Sequence, residues 1–72
     1  MVKLVTNAPT TLYRKLRSPR SYRIVKTEIV LPPGTELERK SQEYCPFERA
    51  MVLFYPVKYM GKTHYIKVEE TS

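Results

Sequence analysis

The stretch Leu31-Pro32-Pro33-Gly34-Thr35-Glu36-Leu37-Glu38 decides the fold class. Pro33 fixes φ near the value wanted at the second position of a β-turn, and Gly34 can take the positive φ that a type II turn needs at its third. Pro32 has no N–H to give to a ladder, so it cannot lie inside a central strand. The chain therefore leaves one strand near Leu31 and enters another near Thr35. Before the turn, Thr27, Ile29 and Leu31 alternate with Lys26, Glu28 and Val30; after it, Thr35, Leu37 and Arg39 alternate with Glu36, Glu38 and Lys40. A period of two on both sides predicts two strands, each with one buried face.

Upstream, Tyr22 to Leu31 is rich in β-branched residues and reads as the best strand of the first half. Arg17-Ser18-Pro19-Arg20-Ser21 before it reads as an exposed basic turn. Thr10 to Leu16 is either a strand or one helical turn, the run being too short for periodicity to decide. Lys3 to Thr6 is a short strand candidate ended at Asn7-Ala8-Pro9. Downstream, Ser41 to Arg49 reads as a loop that packs its own aromatics, Tyr44 and Phe47. Ala50 to Met60 and Thr63 to Glu69 form the clearest hairpin, with Gly61-Lys62 expected as a type II′ turn. Met51, Leu53, Tyr55, Val57 and Tyr59 share one face of it, with Val52 and Phe54 opposite. In the return strand Ile66 and Val68 are expected inside and Tyr65, Lys67 and Glu69 outside. Short strands with turn signals between them, and no helical period of useful length, predict an all-β barrel or sandwich.

Composition bounds the chemistry. Seventy-two residues make one domain with a small core. Cys45 has no second cysteine to pair with, and His64 is the only histidine, so neither a disulfide nor a zinc cluster is expected. Cys45 reads as a small, partly buried apolar residue rather than a nucleophile, since no acid–base partner lies at a recognisable spacing. His64 reads as a strand-end side chain at the barrel rim. There is no aspartate and there are only two glycines, so phosphate-cradling loops and the common catalytic triads are missing. No catalytic residue, metal or cofactor is expected. Met1 to Asn7 lacks a signal-peptide pattern, and the apolar run Ala50 to Val57 is too short to span a bilayer. A cytoplasmic, non-membrane setting and a monomer are the expectation.

The net charge of +6 is unevenly placed. Residues 1–26 hold seven basic groups and no acid, while residues 27–72 hold six basic groups and all seven glutamates. Such asymmetry predicts a footprint for a polyanion or an acidic protein surface. Arg14, Lys15, Arg17, Arg20 and Arg23 would supply phosphate contacts, and Tyr13 and Tyr22 stacking platforms. Tyr44 and Phe47 are the candidates for contact with a protein partner.

The order of features resembles the bacterial SH3-type domain family. Leu12 to Ser21 stands where that family has Leu-x-x-Arg-x-Gly-Pro-Ser, although the glycine is missing. Leu31-Pro32-Pro33-Gly34-Thr35 matches its Leu-x-x-Gly-Thr turn. Val57-Lys58-Tyr59-Met60-Gly61-Lys62-Thr63-His64-Tyr65-Ile66 matches its closing hairpin, with His64 in place of a frequent glycine. The resemblance implies a small SH3-like barrel of about five strands and, through the family, cell-wall peptide binding. The stand-alone length is similar in style to small phage or mobile-element proteins. From the residues themselves the leading expectation is non-catalytic binding of a nucleic acid or a nucleic-acid-handling complex through the N-terminal third. Inhibition or adaptation of a host protein, and cell-wall peptide binding, are the alternatives.

Overall fold

The computed structural model describes residues 2–71. It is all-β, with strands β1 (Val2–Val5), β2 (Thr10–Arg17), β3 (Tyr22–Leu31), β4 (Glu36–Arg39), β5 (Glu43–Phe47), β6 (Ala50–Tyr59) and β7 (Lys62–Lys67), then one 3₁₀ turn at Val68–Glu70. The expected fold class holds, with seven strands rather than about five. Strand β5 is one that the expectation lacked. Glu43-Tyr44-Cys45-Pro46-Phe47 was expected in a loop, yet it pairs antiparallel with β6 from Glu43↔Phe54 to Phe47↔Ala50. Pro46 hides this strand from a sequence reading, because it cannot donate to a ladder.

The sheet runs β1-β4-β6-β5-β3-β2-β7, and β7 also pairs with β6. Strands β6, β5, β3, β2 and β7 thus close on themselves, with β4 and β1 attached outside as an extension. The ring is partial. Its β3–β5 contact is a single parallel pair, Ile24↔Phe47, and its β2–β7 contact a single antiparallel pair, Tyr13↔Tyr65. At both places a single ladder pair joins the strands, so the object is not a clean barrel.

Two cores lie on opposite faces of the shared strands. Inside the ring, each strand contributes one buried residue: Tyr13, Ile24, Cys45, Phe54 and Tyr65. Phe54 is central, its ring edge-on to Tyr13 at 5.4 Å, Phe47 at 6.0 Å and Tyr65 at 6.3 Å. The other core is aliphatic: Leu4, Leu12, Leu31, Leu37, Val57 and Ile66, with β1 and β4 supplying its cover. Leu12 and Tyr13 are neighbours on β2, as are Tyr65 and Ile66 on β7, and neighbours on a strand point to opposite faces. Both members of each pair are buried. The expectation that Tyr65 faces outward is therefore corrected: its side of β7 belongs to the aromatic core inside the ring, while Ile66 faces the aliphatic one. Met51, expected on the buried face of β6, is exposed.

Three local devices shape the sheet. The Pro33-Gly34 turn forms as expected, with Gly34 at φ 85°. Thr6, buried beside it, receives the Thr35 N–H on its Oγ1 (2.9 Å), donates that hydroxyl to Pro32 O (2.7 Å), and accepts the Gly34 N–H on its carbonyl (2.6 Å). In the β2–β3 pair the register shifts between Thr11 and Tyr13. There the Thr27 hydroxyl accepts from the Ile29 N–H and donates to Leu12 O, replacing ladder bonds that the bulge removes. The β6–β7 turn differs from the expected type II′. Tyr59 pairs with Lys62, so the loop residues are Met60 and Gly61, both at positive φ (52° and 76°), the signature of type I′.

A basic cleft between β2 and β7

β2 and β3 form a hairpin that carries most of the basic residues. Its tip is closed by the Ser18 N–H and hydroxyl, both donating to Ser21 O at 2.8 and 3.0 Å. Residues paired across an antiparallel ladder share a face. Lys15 pairs with Ile24 and Arg17 with Tyr22, on the side of the ring interior; Arg14 pairs with Val25 and Leu16 with Arg23, on the other side. The basic residues are thus split between two faces, and a flat basic patch does not form.

What reunites them is the strand edge. Beside the single pair Tyr13↔Tyr65, residues of β2 and β7 border a cleft of about 330 Å³. Arg14, Lys15 and Arg17 line one wall, and Lys62, Thr63, His64 and Tyr65 the other. No acidic residue is in the lining. Cations from both faces of β2 can reach an edge cleft, whereas only one set can reach a face. Arg17 also borders a second hollow of about 210 Å³ under the hairpin tip, with Leu16, Ser18, Ser21, Tyr22 and Arg23. Arg17 therefore borders both hollows. Arg20 lines neither of them and stands exposed at the tip.

Lys15 is the best-anchored cation of the group. Its Nζ lies 4.4 Å from the centre of the Tyr22 ring and 5.4 Å from that of Tyr65. Burial alone would lower its pKa, but the Tyr65 hydroxyl, the Glu43 carboxylate and Tyr22 outweigh it and leave the pKa raised. Lys15 therefore stays charged throughout the neutral range. Opposite, the His64 ring sits edge-on to Tyr59 at 5.7 Å, with Nδ1 3.4 Å from Lys62 O. His64 is the third residue of β7, paired with Val57, rather than a strand-end side chain.

Two of the residues proposed as contacts from sequence are placed elsewhere. Tyr13 is only 5% exposed, with its ring against Phe47 at 5.2 Å, so it is a core residue and no stacking platform. Phe47 closes the same aromatic core beneath the Lys67 ammonium, 4.7 Å from its ring centre, rather than projecting from a loop. Tyr22 is half-buried with a face occupied by Lys15. Tyr44 is free at 64% exposure, on the same face of the β5–β6 hairpin as Met51, Leu53 and Pro46. Lys62, Thr63 and Tyr65 were missed as site residues. The one available signal was the Gly61-Lys62-Thr63 run, which reads first as turn chemistry.

Cys45 is fully buried, and burial with the neighbouring Glu43 carboxylate pushes its thiol pKa up. That makes it a poor nucleophile. Among the described residues no cluster of His, Cys, Asp or Glu could hold a metal ion, and no helix is long and apolar enough to cross a membrane. Comparison with protein-family models, with curated proteins and with solved structures finds no match, so the reading of the cleft rests on its own geometry.

Proposed function

We propose that the protein is a non-catalytic binding module that grips the phosphate backbone of a nucleic acid in the β2–β7 cleft. The observation that carries this is the lining itself: Arg14, Lys15, Arg17 and Lys62 border one cleft whose lining includes no carboxylate. Cations grouped in this way bind phosphates by releasing condensed counterions, which is a sequence-independent interaction. The burial of Tyr13 and the covered face of Tyr22 remove the aromatic platforms that would read or stack bases. Binding is therefore to backbone, with little base preference. Arg23 and Arg20 extend the positive field along the hairpin and speed encounter rather than fix the bound state.

The test is titration of a fluorescent oligonucleotide at several salt concentrations. Affinity should fall linearly on a log–log plot with a slope set by the phosphates contacted, about −0.7 to −0.9 per phosphate. Absence of binding at low salt with tens of micromolar protein overturns the proposal. A second reading, docking to a protein, is favoured by Tyr44 and Met51, which stand exposed beside each other's strand partners on the β5–β6 hairpin. A partner retained on tagged protein after nuclease treatment would select it.

A further inference from the structure

His64, the only histidine of the chain, stands in the wall of the basic cleft. We infer that it is a proton-dependent ligand of the bound phosphate. The imidazole takes up a proton from solution as the anion enters, so the cleft grips more tightly in mildly acidic than in mildly alkaline solution. This rests on the reading of the cleft as a phosphate site.

The placement follows from the strands. Tyr13 and Tyr65 are antiparallel partners, so the count continues with Arg14 opposite His64 and Lys15 opposite Thr63. Leu12 and Ile66 both belong to the aliphatic core. Alternate residues of a strand share a face, so Arg14 leaves β2 on the side of Leu12, and His64 leaves β7 on the side of Ile66. Both side chains thus emerge on one side of the sheet, and both border the cleft.

The neighbours of the imidazole are cationic or uncharged. From β2 come Arg14, Lys15 and Arg17, and from its own strand Lys62. On the other flank Val57 of β6 is its ladder partner, and Tyr59 meets the ring edge-on at 5.7 Å. Arg39 of β4 pairs with the far side of Val57. Glu43 acts on Lys15 and does not line the cleft. A phosphate in the cleft therefore brings negative charge to a histidine set among positive side chains. An opposite charge within about 4–6 Å favours the charged form of a titrating group.

Hydrogen bonding asks for the same proton. Nδ1 lies 3.4 Å from Lys62 O. A carbonyl oxygen only accepts, so this contact puts the neutral ring's proton on Nδ1 and leaves Nε2 with a lone pair. That nitrogen has nothing to donate to a phosphate oxygen. Protonation makes it a donor, and histidine is the side chain that ordinarily changes charge between about pH 5 and 8.

Titration of a fluorescent oligothymidylate between about pH 5.5 and 7.5, at constant ionic strength, tests this. Affinity should be about three- to tenfold higher at the acid end, as one further charged hydrogen bond provides. The salt slope should steepen there by about 0.7, the share of one more cation on a single strand. The lone imidazole can also be followed by NMR, and its titration midpoint should move to higher pH with oligothymidylate in excess. His64→Gln keeps a polar side chain that takes up no charge, and should lose the pH dependence. His64→Lys holds its charge and should bind at the tighter level throughout. Dependence of equal size in His64→Gln, or an imidazole midpoint that the oligonucleotide does not move, overturns the inference and leaves the phosphate reading of the cleft standing. Failure of the unsubstituted chain to bind at any pH removes both.

Discussion

The hydroxyl of Thr6 and the carbonyl of Pro32 meet at 2.7 Å across 26 residues of sequence. The same hydroxyl accepts the Thr35 N–H, so one buried side chain holds both ends of the Pro32-Pro33-Gly34-Thr35 turn. Thr6→Val keeps the shape and removes both bonds, leaving the Thr35 N–H without its partner. The expected cost is about 1–3 kcal/mol, read as a lower urea midpoint at unchanged slope. Thr6→Ser should recover most of it.

Met60 occupies a left-handed position, φ 52°, at the first loop site of the β6–β7 turn and is 82% exposed. Side chains other than Gly, Asn and Asp are strained there. Met60→Asn gives the Asn-Gly pair that type I′ turns prefer and should stabilise the protein by about 0.5–1 kcal/mol. Gly61→Ala, at φ 76°, should cost about 1 kcal/mol or more even though no atom blocks a methyl group there. Thermal unfolding of the two variants checks both signs.

Lys62 and Arg20 are both exposed cations, but only Lys62 lines the cleft. Lys62→Gln should weaken oligonucleotide binding and lower the salt slope by about 1. Arg20→Gln should leave the slope unchanged and alter mainly the association rate at low salt. Equal losses from the two substitutions would locate binding on the hairpin as a whole rather than in the cleft.

Cys45 predicts a pH effect whose sign follows from its raised pKa. The unfolded thiol ionises near its ordinary value of about 8.5, while the folded one holds its proton longer. The folded state therefore binds more protons in that window, and its contribution is full below about pH 8.5 and lost as pH rises through the folded pKa. Cys45→Ala should flatten this alkaline slope, at a small cost from the cavity in the ring core. Below that pH, iodoacetamide should label Cys45 only on unfolding.

Legibility differed sharply between the parts of the molecule. The turn at Pro33-Gly34, the β6–β7 hairpin and strand β3 were readable because their signals are local: a forced φ, a period of two, β-branched side chains. Type I′ at Met60-Gly61 was misread as type II′ because glycine suits either, and the choice depends on where the strand register places Tyr59 opposite Lys62. Strand β5 was hidden by Pro46. The two-sided burial of Leu12-Tyr13 and Tyr65-Ile66 was hidden too, since an apolar neighbour pair carries no sign of what covers each face.

The sequence alone determined that the chain is all-β, where its tightest turns fall, and that its net positive charge resides in residues 1–26. Those are properties of single residues and of their immediate neighbours. Only the tertiary structure decided which of the charges act together. Arg14 and Lys15 lie on opposite faces of β2, and Lys62 is far along the chain; all three line one cleft because β7 lies beside β2. The same closure took Tyr13 out of reach of any ligand by turning it onto Phe54. A strand's charges are written in its sequence, but whether its edge is paired or open depends on the strand that arrives beside it.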